Sequence, residues 1–133
     1  MQRELASVVR DYPFAYLATV SGGQRAHLVA VRPVLVGGVV HVPAPGRTSS
    51  RNVEEHRTVT LVWPPAEVDG YSLIMDGTGV LAGDELVVTP TRAVLHRPSP
   101  AAVSSRPGTA GPFEPDACGS DCIELTVPAP AGR

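Results

Sequence analysis

Residues 34–42 read VLVGGVVHV, two apolar runs rich in Val that are separated by Gly37 and Gly38. Val side chains favour extended backbone because they pack well on a pleated surface. Two consecutive glycines supply the positive φ angles that a tight hairpin turn requires. The stretch therefore predicts an antiparallel hairpin whose register is fixed by its turn.

The segments on both sides of this hairpin extend the pattern. Residues 14–20 and 26–36 are rich in Val, Ala and Leu, and the turn-forming sequence SGGQ separates them at residues 21–24. This arrangement predicts a second hairpin. On the C-terminal side, PAPG at residues 43–46 ends the strand. The polar stretch from Arg47 to His56 lacks Gly and Pro, and it predicts a helix of about two turns.

Short apolar runs fill much of the remaining chain. They are residues 59–63, 72–81, 85–89, 92–96 and 123–127. A helical spacing of apolar residues from Leu5 to Tyr12, which Pro13 ends, adds one short helix at the beginning. Many short strands without a regular alternation of helix and strand favour a mainly β, antiparallel barrel with two or more short helices.

Length and composition limit the organisation of the chain. The 133 residues, of which 43% are hydrophobic, are enough for one ordinary domain, so we treat residues 1–133 as a single domain. The stretch at about 97–121 is rich in Pro, Ser, Gly and Ala and predicts a long loop. Residues 128–133 are expected to form a flexible tail.

Charge and hydropathy argue against several classes of partner. The net charge is −2 and the eleven cationic residues, all Arg, are scattered, so no nucleic acid partner is expected. No apolar run approaches the roughly 18 residues of a membrane span, so no membrane partner is expected. No signal peptide is recognised, and we expect a cytoplasmic protein with reduced Cys118 and Cys122. Together with His96, these cysteines fall short of the four ligands of a structural zinc site, so no metal is assigned.

The sequence RTSSRN at residues 47–52 is the strongest candidate for a binding site. It lies where an extended chain becomes a helix, so backbone N–H groups, hydroxyls and two Arg side chains meet at one place. Arg47 and Arg51 are four residues apart and lie on one helix face, which suits a phosphate. The alternative is an ordinary helix that a Ser side chain caps, with both Arg side chains in solvent.

Arg32 interrupts an otherwise apolar strand. A charge in such a position reaches solvent, pairs with a carboxylate, or faces a ligand. The strand of Arg32 precedes the hairpin that leads into residues 47–52. A single anion bound at the start of the helix is therefore expected to contact Arg32 as well.

The order of these motifs resembles the pyridoxamine 5'-phosphate oxidase-like flavin-binding split barrels. The resemblance covers approximately residues 12–81, and its motifs are FAYLATV at 14–20, a Gly turn, HLVAVR at 27–32, the Arg/Ser-rich turn, and TVTLVW at 58–63. It implies a split barrel of about six strands in a Greek-key-like order. It also implies an FMN-dependent oxidoreductase of unknown substrate, with the flavin held between the two subunits of a homodimer.

The resemblance implies site residues by position. Arg32 corresponds to the cation that ends the family's second strand. Arg47, Thr48 and Ser49 correspond to the Ser-Arg-Lys turn that holds the FMN phosphate and ribityl chain. Arg51 is added from helix geometry, because it lies one turn beyond Arg47.

Three further positions are implied near the flavin ring. His27 and Val42 correspond to positions whose backbone or side chain lines the flavin, and Ser72 corresponds to one that approaches the ring. Spacing identifies no Ser/His/Asp or Cys/His arrangement, so no catalytic residue is assigned. This fits a flavoprotein, because the ring carries the electrons while the protein positions and shields it.

The chain also departs from the family. The oxidases that give the family its name carry C-terminal Arg and Trp residues, whereas here CIELTV at residues 122–127 precedes a Pro/Ala/Gly tail. Pyridoxamine phosphate is therefore not the expected substrate. Thr48 and Ser49 replace the usual Arg-Lys, which leaves fewer charges for a phosphate. Two alternatives stay open: a deazaflavin-dependent reductase of the same fold, and a non-catalytic module that binds a flavin or another planar ligand.

Overall fold

The structure is a computed structural model that describes residues 4–98 and 120–128. In chain order its elements are α1 (Leu5–Val9), β1 (Ala15–Val20), β2 (Ala26–Val31), β3 (Val34–Val36), β4 (Val39–Pro43), α2 (Arg47–Glu55), β5 (Thr58–Trp63), β6 (Ser72–Ala82), β7 (Glu85–Pro98) and β8 (Ser120–Leu125). The loop predicted at 97–121 lies, except for its ends, outside the described residues. The same holds for the predicted tail beyond Pro128.

The eight strands form one antiparallel sheet. Seven of them follow the order β2-β1-β5-β6-β7-β4-β3, and β8 pairs with β7 off this path. The 14-residue strand β7 makes both pairings possible. One edge of β7 pairs with β6 along both halves, while its other edge pairs first with β4 and then with β8. The prediction of a mainly β, antiparallel barrel is confirmed.

Two prolines account for two of the differences between predicted and observed strands. Pro33 has no N–H to donate, and the run 26–36 separates there into β2 and β3. Pro90 lies inside β7, opposite the place where the register shifts between Asp76 and Gly77, and such an irregularity tolerates a residue without an N–H. The two runs around Pro90 are therefore one strand. The sheet has eight strands where about six were predicted.

The central hairpin forms as the sequence predicts. Gly37 and Gly38 have φ angles of 60° and 83°. Val36 pairs with Val39 directly across this two-residue turn, so β3 and β4 are antiparallel neighbours.

Alternate positions of each strand fill the barrel interior. In β1, Leu17 and Thr19 are buried, whereas Tyr16 and Val20 are exposed. Cross-strand partners share a face, so Leu61 of β5 is buried opposite Leu17. The largest fully buried side chains are Trp63, Leu5, Leu17, Leu61, Leu73, Met75 and Leu86.

The two helices pack on different parts of the sheet. Helix α2 packs on β1, β2 and β6, and the chain that leaves it is tied to β6 by a bond from the Gly79 N–H to the Arg57 carbonyl, with N···O 2.7 Å. Helix α1 buries Leu5 and Val8, and its Leu5 N–H donates to the carbonyl of Thr126, with N···O 3.1 Å. Neither helix is long and apolar enough to cross a membrane.

We predict that Gly77→Ala lowers the free energy of unfolding by about 1–3 kcal/mol, because the added methyl group overpacks the barrel wall. A Cβ atom at this position would lie 2.5 Å from Cγ1 of Val88 and 2.7 Å from the carbonyl oxygen of Thr89. The matched control is Gly23→Ala, whose Cβ would meet only the Ser21 hydroxyl at 3.7 Å. Urea unfolding measures both variants. Equal unfolding free energies would contradict the close packing at Gly77.

Candidate functional site

The first turn of α2 has no side-chain cap. Its N-cap residue is Gly46, with φ 95° and ψ 162°, and no side chain accepts a hydrogen bond from the turn. The Ser50 hydroxyl is turned the other way and donates to the Gly46 carbonyl at 2.7 Å. The backbone N–H groups of residues 47–49 therefore have no acceptor within the helix. The Ser-capped helix that the sequence left open does not form.

The charge at this turn is positive. Arg47 and Arg51 are exposed, and neither forms an ion pair with any residue in the described ranges. No acidic residue lies in the first turn. Glu54 and Glu55 lie at the other end of the helix, where they do not compete with an anion at the first turn. The partial positive charge of the helix start adds to that of the two guanidinium groups.

The inner face of α2 is polar although it is buried. Ser49 and Asn52 have exposed fractions of 0% and 1%, beside the buried Val53. The Asn52 side-chain amide donates from Nδ2 to Oγ1 of Thr19 in β1, at 3.0 Å. Within the part of the chain that the structure describes, Oγ of Ser49 and Oδ1 of Asn52 have no hydrogen-bond partner. Two buried polar atoms thus lie directly beneath the uncapped turn.

The sequence analysis did not identify Thr19, and it included Asn52 only as the last residue of the segment RTSSRN, without a role of its own. The signal for Thr19 is its place in the alternation of β1, where it shares the inner face with Leu17. The signal for Asn52 is its position three residues after Ser49, which places both on one helix face. Each signal marks burial, but neither indicates that the two side chains meet.

Two of the predicted ring-lining residues lie on inner faces of the sheet. His27 of β2 is half-buried and pairs with Thr19, so it stands next to the polar residues under α2. Val42 of β4 is fully buried in the barrel interior and pairs with Leu86. Only the backbone of Val42 is therefore available to a ligand.

Arg32 and Ser72 lie at strand ends away from the contacts that the C-terminal half of α2 makes. The C-terminal end of α2 meets the β1–β2 turn, where the Glu55 carboxylate lies against Gly22. Arg32 is exposed just beyond the opposite end of β2. Ser72 begins β6, whereas Val53 of α2 packs near Gly79, roughly 23 Å further along the same strand.

Ser72 has chemically notable neighbours of its own. In the strand register it pairs with His96, and His96 pairs with Cys122. The next residue, Arg97, places its guanidinium carbon 4.5 Å from the centre of the Tyr71 ring. Among residues 4–98 and 120–128, no three His, Cys, Asp or Glu side chains are arranged to hold a metal ion.

An apolar row crosses the outer face of the sheet. The register aligns Tyr16 of β1, Val62 of β5, Ile74 of β6 and Val94 of β7. Tyr16 is 41% exposed, and Leu28, on the same face of β2, is 62% exposed. Val62 and Ile74 are half-buried, and Val94 is buried at the β7 end of the row. We call the side chains of Tyr16, Leu28, Val62 and Ile74 the outer apolar face.

Comparison with known proteins identifies the family. No protein-family model matches the chain. Uncharacterized proteins of Mycobacterium bovis and Mycobacterium tuberculosis are each 39% identical to it in a gapped alignment of 145 positions that covers 95% of this chain and 94% of each relative. The chain belongs to the same family as these proteins.

Solved structures establish the fold. A Listeria innocua protein named for pyridoxamine 5'-phosphate oxidase matches with a TM-score of 0.58 at 11% identity, over 68% of this chain and 94% of that chain. An F420 reductase matches with a TM-score of 0.54 at 17% identity, over 62% and 90%. HupZ of group A Streptococcus gives 0.54 at 13% identity, over 67% and 88%. The chain therefore has the split-barrel fold that these structures share, as its motifs predicted.

We predict that the bond between Thr19 and Asn52 anchors α2 on the split barrel. Thr19→Val removes the acceptor and leaves a buried amide unpaired, which lowers the free energy of unfolding by about 1–3 kcal/mol. Combined with Asn52→Ala in a double-mutant cycle, it yields a coupling energy of about 1 kcal/mol. Thr78→Val, at an exposed position of β6, is the control and leaves stability unchanged. Additive effects of the two substitutions would contradict the anchor.

Proposed function

We propose that the first turn of α2 binds the phosphate of a flavin-type cofactor, FMN or a deazaflavin, and that the split barrel is an oxidoreductase. The observation that carries this proposal is the uncapped turn. Its three backbone N–H groups and the side chains of Arg47 and Arg51 have no acceptor among the described residues. Donors that converge without an acceptor, at the positive end of a helix, form a site for an anion.

The residues of this turn fit a phosphate. Arg47 and Arg51 supply planar guanidinium forks, which match phosphate oxygens better than the point charge of Lys does. Thr48 and Ser49 supply backbone N–H groups, and the half-buried Thr48 hydroxyl adds a further donor. The Ser49 hydroxyl is sealed beneath the turn, so it reaches a phosphate only when the phosphate enters that space. Each charge-assisted hydrogen bond contributes about 1.5–3 kcal/mol to binding.

Known structures of this fold support both cofactors. The names of two of them refer to pyridoxamine 5'-phosphate oxidase and to F420 reduction. A deazaflavin is the second candidate, because the F420 reductase shares the fold and because Thr48 and Ser49 leave fewer cations than an Arg-Lys pair. A bound flavin or deazaflavin supplies hydride transfer, and the protein positions the ring and excludes water from it. We assign no substrate, and pyridoxamine phosphate is not proposed.

The remaining predicted site residues lie outside the first turn of α2. His27 and the backbone of Val42 lie on strands close to α2 and are proposed to face the ring. Arg32 is proposed as a further cation for the phosphate or the ribityl chain. Ser72 begins β6, roughly 23 Å along the strand from the contact of Gly79 with Val53 of α2, and we propose that it approaches a cofactor bound by a second chain.

A homodimer is part of this proposal. The outer apolar face exposes Tyr16 and Leu28, and large exposed apolar patches are typical of protein interfaces. We propose that a second copy of the chain covers this face. We also propose a cytoplasmic location, because two cysteines four residues apart do not form the disulfide framework of a small secreted domain.

We predict that the purified, cofactor-stripped protein binds FMN or F420 saturably, because the α2 turn offers a phosphate an unpaired set of donors. Separate titrations, followed by the absorbance and fluorescence of each cofactor, decide between them. Reduction of the bound cofactor by a chemical donor, followed by reoxidation, then tests whether the site is catalytic. Binding of neither cofactor would overturn the proposal. Binding without turnover would support the non-catalytic module.

We predict that Ile74→Arg weakens the dimer at least 100-fold, because it places a charge at the centre of an interface that buries about 800 Å² per partner in a typical complex. The control is Val68→Arg, in an exposed loop. Sedimentation equilibrium measures both variants. A monomeric wild-type protein, or an Ile74→Arg variant that dimerises as well as the control, would contradict the proposed interface.

A further inference from the structure

A second cavity lies on a different part of the molecule from the α2 turn. It has a volume of about 650 Å³ and lies between α1, the β3–β4 hairpin and the chain that leaves β8. Ligand sites in proteins commonly have volumes of about 300–1,000 Å³. Five residues of β4, or roughly 17 Å of strand, separate its edge at Gly38 from the segment that leads into α2. A cofactor phosphate at the α2 turn therefore does not occupy this cavity.

The walls of the cavity are fixed by three contacts between distant segments. The Leu5 N–H donates to the Thr126 carbonyl and joins α1 to the end of β8. The hairpin turn packs on the same segment so closely that a Cβ at Gly38 would lie 3.2 Å from Pro128. The Tyr12 hydroxyl donates to the carbonyl of Tyr71 at 2.8 Å and holds the chain that follows α1. A cavity with walls tied in this way exists before a ligand enters.

The lining of the cavity is largely apolar. Leu5, Val9, Leu35 and Val127 contribute aliphatic side chains, and Val34 of the hairpin is 54% exposed. Aliphatic surface of this kind is unfavourable in water by about 25 cal/mol per Å². An apolar ligand body that covers it is therefore stabilised without any specific hydrogen bond.

The charged groups on the rim decide the polarity of the ligand. Arg10, at the C-terminal end of α1, lines the cavity, is exposed, and forms no ion pair with any described residue. Glu4 lies at the other end of α1, roughly 9 Å away along the helix axis. Burial, and then the nearby Asp11 carboxylate, raise the pKa of Tyr12, so this wall stays neutral at physiological pH. Arg10 is thus the one cationic side chain among the residues that line the cavity, and it lies at the C-terminal end of α1.

We propose that this cavity is a second binding site, for a small amphipathic anion. The ligand has a compact aromatic or branched apolar body and one carboxylate or sulfonate group. The apolar body lies against Leu35 and Val9, and Arg10 pairs with the anionic group. The site does not depend on the proposed cofactor, because no residue of the α2 turn lines it.

The test uses two fluorescent probes that differ in charge, 1-anilinonaphthalene-8-sulfonate and the uncharged N-phenyl-1-naphthylamine. The sulfonate probe binds the wild-type protein saturably, with a blue-shifted emission. Leu35→Trp fills the cavity and weakens the binding of both probes at least tenfold. The matched control is Val80→Trp, because Val80 is an exposed β6 residue that does not line the cavity, and it leaves both affinities unchanged.

A second pair of variants isolates the charge. Arg10→Gln weakens the sulfonate probe about tenfold and leaves the uncharged probe unchanged, whereas Arg25→Gln, at an exposed position in a turn, affects neither. Thermal unfolding confirms that all four variants fold. Probe binding that Leu35→Trp leaves unchanged would overturn the site. The assignment of an anion would be overturned if Arg10→Gln and Arg25→Gln changed the affinity for the sulfonate probe equally. It would also be overturned if Arg10→Gln changed the affinities for both probes equally.

Discussion

The length of β7 is the constraint on which the rest of the molecule depends. Its 14 residues exceed the length of any single partner on its outer edge, so that edge is shared between β4 and β8. The strand that pairs with the first half, β4, continues into α2, and the strand that pairs with the second half, β8, continues to the segment that receives α1. One end of β4 therefore leads to the uncapped turn, whereas the second cavity lies at its other end, where the β3–β4 hairpin meets the chain that leaves β8.

Helix α2 retains a polar inner face at a cost in stability. A buried polar group without a partner costs about 1–3 kcal/mol, and both Ser49 and Asn52 carry such an atom within the described part of the chain. Apolar residues at these positions would avoid that cost. The arrangement is consistent with a helix whose first turn serves a ligand rather than the core alone, since local departures from optimal packing concentrate at functional sites.

Local patterns were sufficient to predict the elements that depend on adjacent residues. Gly37 and Gly38 define their hairpin through backbone conformation, and the polar stretch from Arg47 defines its helix. Pro33 and Pro90 show where such reasoning ends, because one separates two strands and the other lies within a single strand. The difference is set by the partner, since Pro90 faces the register shift at Gly77. That pairing is not visible in the sequence around either proline.

The same distinction applies to the sites. The α2 turn was predicted because its donors are consecutive in the chain, whereas the contact of Thr19 with Asn52 joins residues 33 positions apart. The burial of Ser49 and Asn52 depends on how α2 packs on the sheet, so the sequence did not reveal that burial. The second cavity was missed for the same reason, because α1, the central hairpin and the end of β8 are distant in sequence. The resemblance to a family supplied the fold, but the geometry of this chain decides which of the transferred residues lie together.

The most direct test of the account is the phosphate contribution to cofactor affinity, measured as the ratio of the dissociation constants of riboflavin and FMN. If the titrations select the deazaflavin, F420 and its phosphate-free core take their place. The account predicts a preference of roughly 100-fold for the phosphorylated cofactor in the wild-type protein, because two charge-assisted bonds contribute at least about 1.5 kcal/mol each. It predicts that the double variant Arg47→Ala/Arg51→Ala loses most of this preference while its affinity for the phosphate-free ring is unchanged. A preference that survives in the double variant would contradict the claim that the α2 turn holds the phosphate.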